Sequence, residues 1–114
     1  MKANDRYLVE GVQCRLDGPP MPVANLSVGG FFVVSEQAPM PGQVVELELT
    51  LIGRPPFRML GMVTWINDPA HPKAKDLPQG FGIKVTRISF ADKLSIIDLL
   101  KRASPRDVRR ADRG

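Results

Sequence analysis

The chain has 114 residues, of which 43% are hydrophobic, and a formal net charge of +4. This length predicts one domain, because half of the chain would be too small to bury a stable core. The only cysteine, Cys14, excludes an internal disulfide and fits a reducing compartment, and the sequence has neither a run of about eighteen apolar residues nor a signal-peptide core. We therefore expect a soluble, cytoplasmic protein.

Short strands are predicted along most of the chain, since 11 prolines and 10 glycines favour strands joined by tight turns over a helical bundle. Residues 1–7 are mostly polar and predict a flexible N-terminal arm. Beyond this arm, alternating apolar residues and short apolar runs predict an all-β fold, a closed six-stranded antiparallel barrel without exposed sheet edges. The predicted strands span residues 8–16, 21–24, 31–35, 43–52, 57–67 and 81–88.

The strand at 57–67 is apolar on both faces, which predicts either a central position in the sheet or a second element packed on one face. One predicted face carries Met59, Gly61, Val63 and Trp65. We interpret Trp65 as a core or barrel-face aromatic residue, with a ligand platform as the alternative.

A single C-terminal helix is predicted at about 89–103, where the apolar spacing becomes helical. Ser89 can cap its first turn, and the negative charge of Asp92 is favourable near the positive end of the helix dipole. Its apolar stripe is predicted to pack on the barrel or cover its mouth, and any surface left over could serve a partner or a second copy. The stripe consists of Phe90, Leu94, Ile96, Ile97 and Leu100.

Residues 104–114 are predicted to form a basic, disordered tail after a barrel domain of residues 8–103. Its arginines could contact nucleic acid or an anionic membrane, but no aromatic residue lies among them to stack on bases, so the pattern does not favour nucleic acid. His71, the only histidine, lies in a proline-rich loop without partners at ligand or catalytic spacing. We therefore predict no metal site and no enzymatic activity.

The most informative stretch is Asn25-Leu26-Ser27-Val28-Gly29-Gly30, which places two polar side chains just before a glycine pair. Asn and Ser can bond the neighbouring backbone or present donors and acceptors outward. Glycines allow a positive φ or the close approach of a backbone or a ligand. The stretch therefore indicates either a turn between two strands or a ligand-contacting loop.

This Asn-x-Ser-x-x-Gly pattern lies downstream of a basic-x-x-x-Arg segment, formed by Lys2 and Arg6, and the combination resembles the PilZ domain family. The resemblance runs from about Lys2 to about Arg102 and implies a small β-barrel that binds the bacterial second messenger cyclic diguanylate (cyclic di-GMP). Its later landmarks are Gly61-Met62-Val63-Thr64-Trp65 and Gly80-Phe81-Gly82-Ile83-Lys84-Val85.

The resemblance implies a ligand site formed by Lys2, Arg6, Asn25, Ser27 and Gly30. In the family, two arginines on a flexible N-terminal segment wrap the ligand and the barrel motif reads a guanine. Arginine suits this role because its planar fork binds phosphate or guanine in bidentate fashion. Lys2 stands where the family has the first arginine, and losing one such bond weakens binding by about ten- to a hundredfold.

The resemblance thus predicts a single-domain receptor that binds cyclic di-GMP and relays it to an unidentified effector protein, as a monomer or homodimer. The regulated process is expected to be motility, pilus function or surface behaviour. The alternative is a PilZ-like adaptor that acts through protein contacts without nucleotide. Family members that lack the arginines act in this way, notably in type IV pilus function.

Overall fold

The computed structural model describes residues 6–102 and 109–111. In these ranges the chain forms one helix, α1 (Phe90–Arg102), and eight strands. No helix in this part of the chain is long and apolar enough to cross a membrane. The strands are β1 (Arg6–Leu8), β2 (Gln13–Arg15), β3 (Met21–Leu26), β4 (Gly30–Val34), β5 (Val44–Thr50), β6 (Phe57–Asn67), β7 (Gly80–Arg87) and β8 (Arg109–Ala111).

Six of these strands close into an antiparallel barrel. Neighbours around the ring run in the order β2, β5, β6, β7, β4 and β3, and β3 pairs again with β2. Cys14 on β2 closes the ring, because it lies opposite Leu49 on β5 and opposite Met21 on β3. The predicted fold, a six-stranded barrel with one C-terminal helix, is confirmed.

The first predicted strand, residues 8–16, is interrupted by a bend at Gly11, so that only Leu8 belongs to β1 and residues 13–15 form β2. Gly11 has a φ of 75°, which a glycine adopts without strain. Both pieces pair with the same edge of β3, β2 with its first half and β1 with its second half. As a result, the N-terminal strand follows β3 to its far end, where Leu26 lies opposite Tyr7.

Strands β1 and β8 extend the sheet beyond the ring, and they pair with each other between Arg6 and Ala111. β8 and the first two residues of β1 lie in segments for which the sequence predicts no regular structure, the tail of residues 104–114 and the arm of residues 1–7. Their polar residues give no alternating apolar signal, and backbone pairing, which most side chains permit, forms them instead. The rest of the arm and of the tail lies outside the described residues.

The barrel interior contains one continuous apolar core, to which all six ring strands and the helix contribute. Every second residue of the ring strands points inward, as the alternating sequence pattern predicts. The buried members are Val12, Cys14, Val23, Leu26, Phe31, Val33, Leu47, Leu49, Leu51, Met59, Val63, Phe81, Ile83, Ile96 and Leu100.

Trp65 lies on the opposite side of the barrel wall from Val63, although the sequence predicts a shared face. The register between β6 and β7 shifts at this point, since Val63 lies opposite Ile83 whereas Trp65 lies opposite Gly82. The extra residue, Thr64, reverses the alternation of side chains. The predicted shared face is therefore wrong at Trp65, which is a barrel-face aromatic residue.

Helix α1 is fixed to the barrel by apolar contacts and by one arginine. Ile96 and Leu100 are buried in the core. Arg54, which follows β5, donates to Asp98 Oδ2 at 2.7 Å and to Ser95 Oγ at 3.2 Å. These contacts determine which side of the helix faces the barrel.

The other side of the helix leaves part of the predicted stripe uncovered. Ser89 Oγ accepts a hydrogen bond from Asp92 N at 3.1 Å, which confirms the predicted cap. Phe90 and Leu94, however, are 75% and 46% exposed. Leu94 and Ile96 are two residues apart and so lie on nearly opposite sides of the helix. Phe90 and Leu94 are therefore the part of the stripe that the barrel leaves uncovered.

Burial of Cys14 makes the stability of the barrel decrease with pH in the alkaline range. Desolvation by burial raises the pKa of its thiol from 9.0 to about 12. Between these values the unfolded chain releases the proton and the folded chain retains it, so the free energy of unfolding falls as pH rises. We expect the free energy of unfolding of the wild type to fall by about 1.4 kcal/mol per pH unit in this range. The Cys14→Ala variant should not show this fall. Urea unfolding of both proteins at pH about 8 and about 10.5 measures it, and equal pH dependence would contradict it.

Candidate functional site

The Asn-x-Ser-x-x-Gly stretch forms the turn between β3 and β4, and Ser27 holds this turn together. The backbone N–H of Ser27 donates to the carbonyl oxygen of Gly30 at 2.8 Å. Ser27 Oγ donates to the same carbonyl oxygen at 3.1 Å and accepts from the N–H of Gly30 at 3.1 Å. Because Ser27 is also buried, its hydroxyl group shapes the turn rather than projecting toward solvent.

Gly30 is required by the packing of two strands. A Cβ atom at this position would overlap the carbonyl oxygen of Ile83 on the neighbouring strand β7. Gly29, by contrast, has nothing within 4 Å of an added Cβ, and its carbonyl oxygen accepts from Val85 N at 2.9 Å. Gly30 therefore lets the turn lie directly against β7.

Asn25, the first residue of this stretch, has a side-chain oxygen to which the described part of the chain donates no hydrogen bond. Its side chain is only 2% exposed, and no donor in the described part of the chain reaches its Oδ1 atom. A buried acceptor without a donor costs about 1–3 kcal/mol of stability. A ligand or a further segment of protein can supply the missing donor.

The strand register places Asn25 on the outer face of the barrel in a row with aromatic residues. Residues directly opposite one another in antiparallel strands project from the same side of the sheet. Asn25 lies opposite Phe32, one position from the core pair Leu26 and Phe31, so its row points away from the core. Across five neighbouring strands the row contains Leu8, Asn25, Phe32, Gly82 and Trp65.

Trp65 forms the far end of this row and lies over the backbone of β7. A Cβ atom added to Gly82 would overlap the Nε1 atom of the indole ring. The ring also packs against Phe32, with 5.3 Å between ring centroids and a tilt of 38°. Trp65 stays half-buried, whereas Phe32 is fully covered. The indole is therefore held in place by a glycine below it and an aromatic ring beside it.

Arg6 lies at the other end of the outer face, beside the turn. Leu8 lies opposite Asn25 and Tyr7 lies opposite Leu26, so antiparallel register brings Arg6 level with Ser27. Tyr7 packs against the core, and the alternation along β1 therefore directs Arg6 outward with Leu8. The side chain of Arg6 thus projects from the same face of the sheet as the side chain of Asn25.

Lys84 provides a second cation on the same face. It lies opposite Gly30 and, two residues from Gly82, projects from the outer side of β7. Its side chain is exposed, and none of the four ion pairs in the described part of the chain involves it. Sequence reasoning missed Lys84, although its place between the core residues Ile83 and Val85 is the signal that could have found it.

The loop of residues 68–79 beside this face is organised by one buried side chain, that of Asn67. Asn67 Nδ2 donates to the carbonyl oxygens of Ala74, Leu77 and Pro78 at 3.0–3.1 Å. Its Oδ1 atom accepts from the N–H groups of Lys73 and Ala74 at 3.0 Å. A segment that the sequence shows only as a proline-rich surface loop is therefore fixed at its base.

A second surface lies between the turn and the helix. It is an open groove of about 530 Å³ with apolar walls and two cationic side chains. Phe90, the exposed first residue of the helix, forms one wall, and the turn forms another. The lining residues are Val28, Gly29, Val85, Thr86, Arg87, Ile88, Phe90 and Lys93.

The structure thus brings four of the five predicted site residues to one end of β3. They are Arg6, Asn25, Ser27 and Gly30. Lys2 lies outside the described residues. In the described part of the chain no three His, Cys, Asp or Glu side chains are grouped as metal ligands would be, and His71 is exposed in its loop.

A barrel of this topology, with an Asn-x-Ser-x-x-Gly turn on its outer face, defines a PilZ-type domain. The sequence profile of the PilZ domain matches residues 5–102, and the chain belongs to the PilZ domain family. PilZ domains are regulatory receptor and adaptor domains. No curated protein shows significant sequence similarity to the chain.

The fold is shared by solved structures, among them the following two. The inhibitor of motility MotI/DgrA of Bacillus subtilis superposes with a TM-score of 0.63 at 19% identity, over 89% of this chain and 47% of that protein. An uncharacterised protein from Legionella superposes with a TM-score of 0.54 at 17% identity, over 85% of this chain and 90% of that protein. The chain therefore spans about half the length of MotI/DgrA. At this sequence identity the similarity shows a shared fold.

Proposed function

We propose that the chain is a receptor for cyclic di-GMP that relays the ligand signal to a partner protein through its PilZ domain. The observation that carries this proposal is Asn25 Oδ1, a buried acceptor for which residues 6–102 offer no donor, in the stretch that matches the family motif. Arg6, a cation with bidentate geometry, lies beside that turn. An N–H group of guanine is the kind of donor that Asn25 lacks.

The proposed site residues divide into two roles. Arg6 and Lys2 supply positive charge for the phosphates, and Arg6 can also bind or stack on a guanine. Asn25 accepts from the base. Ser27 and Gly30 contribute the shape of the turn, since the hydroxyl of Ser27 is occupied within it and Gly30 lets it lie against β7.

Binding is coupled to a rearrangement near β1. Asn25 is 2% exposed, so a ligand reaches its Oδ1 atom only when the segment that covers it moves. β1 is a three-residue strand that pairs with β3 directly at Asn25, and it is therefore the element that we expect to shift. Its movement changes the surface next to the turn, which provides a signal that a partner can read.

Replacing Arg6 by alanine is expected to weaken cyclic di-GMP binding by about ten- to a hundredfold, because one charge-assisted bidentate contact is lost. Isothermal titration calorimetry at moderate salt measures the dissociation constants of wild type and variant. Arg58→Ala is the matched control, since Arg58 is an exposed arginine on β6 with only a 3.9 Å ion pair to Glu48. An Arg6→Ala variant with unchanged affinity would rule out the proposed site.

The alternative function is an adaptor that binds a motility or type IV pilus protein without nucleotide. Phe90 and Leu94 favour it, because they leave an apolar helix surface uncovered next to the groove at the turn. The name of MotI/DgrA, an inhibitor of motility, agrees with a motility role for either function. Absence of heat up to about a hundred micromolar cyclic di-GMP would favour the adaptor.

Under both functions we propose a cytoplasmic, non-enzymatic protein that acts as a monomer or homodimer.

A further inference from the structure

We propose that the groove between the turn and helix α1 is the surface that contacts the partner protein, and that it binds a short acidic segment carrying an apolar side chain. The apolar side chain packs against Phe90, and the carboxylates of the segment pair with Arg87 and Lys93. This inference rests on the part of the proposed function that receptor and adaptor share, the contact with a partner protein, and it names the chemistry of that partner.

Phe90 gives the groove an apolar anchor that the barrel leaves free. It is the first residue of α1, forms one wall of the groove and is 75% exposed. Leu94, one helical turn further on, is also exposed and lies on the same side of the helix. Because Ile96 and Leu100 fix the opposite side in the core, this exposed side keeps a constant position beside the groove. An aromatic side chain in such a place is typical of protein interfaces.

The charge of the groove favours an acidic partner. Among the described residues, its lining contains two basic side chains, Arg87 and Lys93, and no carboxylate. Both are exposed, and neither takes part in an ion pair within this part of the chain. Asp98, one turn after Leu94, is held by ion pairs with Arg54 and Arg102. The groove therefore attracts carboxylates and repels basic segments.

The floor of the groove is the end of β7, which extends beyond its neighbour β4. The register between the two strands ends at Lys84, and the N–H of Val85 donates to the carbonyl oxygen of Gly29 just past that point. Residues 86–87 continue the strand, and β4 has no residue opposite them. An open strand edge offers main-chain groups to an extended segment. The groove thus combines a strand edge, an aromatic wall and two cations.

A second copy of the chain and a membrane surface fit the groove less well. In a symmetric dimer each groove would face the same groove of the other copy, and the two pairs of cations would repel each other. Membrane binding increases with the apolar area that inserts, whereas Phe90 and Leu94 border a concave surface with exposed polar neighbours. An acidic segment with one apolar side chain matches both the shape and the charge.

The experiment selects short random peptides, displayed on phage, against the immobilised full chain, with and without saturating cyclic di-GMP. We expect the selected peptides to be enriched in Asp and Glu and to contain an aromatic or large aliphatic residue. A synthetic, fluorescently labelled copy of the most enriched peptide then gives a dissociation constant by fluorescence anisotropy. Its affinity should fall as salt increases, because salt screens exposed charges.

Phe90→Ser is expected to weaken binding of this peptide about ten- to thirtyfold, because the apolar anchor is lost. Met40→Ser is its control, since Met40 is 74% exposed and lies outside the groove lining. Lys93→Glu should weaken binding about tenfold, and a negative charge near the helix N-terminus favours the fold. Lys75→Glu, in the exposed loop of residues 68–79, is its control. Circular dichroism establishes that the variants fold.

The outcomes separate this inference from the proposed function. Selected peptides without acidic enrichment, equal affinity in folded Phe90→Ser and Lys93→Glu, or no selected peptide under either condition overturns the acidic docking surface. Heat of binding with cyclic di-GMP then leaves the receptor function standing. Peptide binding that depends on the groove, without any heat from cyclic di-GMP, overturns the receptor function and leaves the docking surface standing in an adaptor.

Two further measurements test the other occupants. Sedimentation equilibrium compares the self-association of wild type and Phe90→Ser, and cosedimentation with vesicles of phosphatidylglycerol and phosphatidylcholine measures membrane binding. We expect the same oligomeric state for both proteins and no Phe90-dependent binding to the vesicles. Dimerisation that Phe90→Ser abolishes would overturn the partner segment in favour of a second copy, and vesicle binding that it abolishes would overturn it in favour of a membrane.

Discussion

Replacing Gly30 by alanine is expected to destabilise the barrel by about 3 kcal/mol, whereas the same change at Gly29 is expected to stay within about 0.5 kcal/mol. The two glycines are adjacent and belong to the same turn. A methyl group at Gly30 would overlap the carbonyl oxygen of Ile83, a backbone atom that can move only if β4 and β7 separate. At Gly29 an added Cβ meets nothing within 4 Å, and its φ is outside the left-handed region.

Urea unfolding followed by far-ultraviolet circular dichroism measures both changes, and the comparison is direct because both variants add one methyl group to the same turn. We expect the Gly30→Ala midpoint to fall without a change in the slope of the transition. Equal midpoints for the two variants would show that close packing against β7 does not require Gly30.

The result determines how the family motif is interpreted in this chain. If Gly30→Ala lowers stability as expected, loss of nucleotide binding in that variant reports damage to the turn. It then gives no information about a contact between Gly30 and the ligand. Gly29→Ala and Arg6→Ala are the informative variants for binding, because neither position supports the strand packing described for Gly30.

The barrel could be predicted from the sequence because its strands carry a clear alternation. In β5, for example, Leu47 and Leu49 are buried, and Glu46 and Glu48 lie on the other side. Periodicity of this kind states which residues share a face within one strand. It contains no information about how far one strand slides along the next, so the sequence identifies strands more reliably than contacts between them.

Trp65 shows where this limit matters for the site. The sequence places it on one face with Val63, and a bulge at Thr64 moves it to the other. A similar irregularity between Val23 and Asn25 directs Asn25 outward although Val23 belongs to the core. The positions of Asn25 and Trp65 in the outer row depend on such bulges, and a bulge leaves no mark in a period-two pattern.

The position of the candidate site could be predicted from the motif, but the separate roles of its residues could not. Asn and Ser look alike in the sequence as short polar residues. In the structure, Ser27 is satisfied within the turn and Asn25 Oδ1 is not. The sequence marks Lys84 only as an outward-facing residue between Ile83 and Val85, and its position opposite Gly30, which relates it to the turn, is visible only in the structure.

The second large effect is expected at Asn67, where replacement by alanine should lower the free energy of unfolding by about 3 kcal/mol. One side chain makes five hydrogen bonds, each worth about 1 kcal/mol, and water can replace part of them in an open loop. Asp68→Ala is the control, since Asp68 Oδ1 accepts one bond, from Ala70 N at 3.0 Å. That change should cost at most about 1 kcal/mol.

The effect of Asn67→Ala should be concentrated in the loop of residues 68–79. The N–H groups of Lys73 and Ala74 lose their acceptor, so their hydrogen exchange should accelerate by more than that of the ring strands. Because Gly80, which follows this loop, packs against Phe32, the outer row should also loosen at Trp65 and its emission should shift. Uniform acceleration across the barrel would instead mean that Asn67 supports the whole fold. Unchanged exchange at Lys73 and Ala74 would mean that the loop keeps its conformation without the Asn67 side chain.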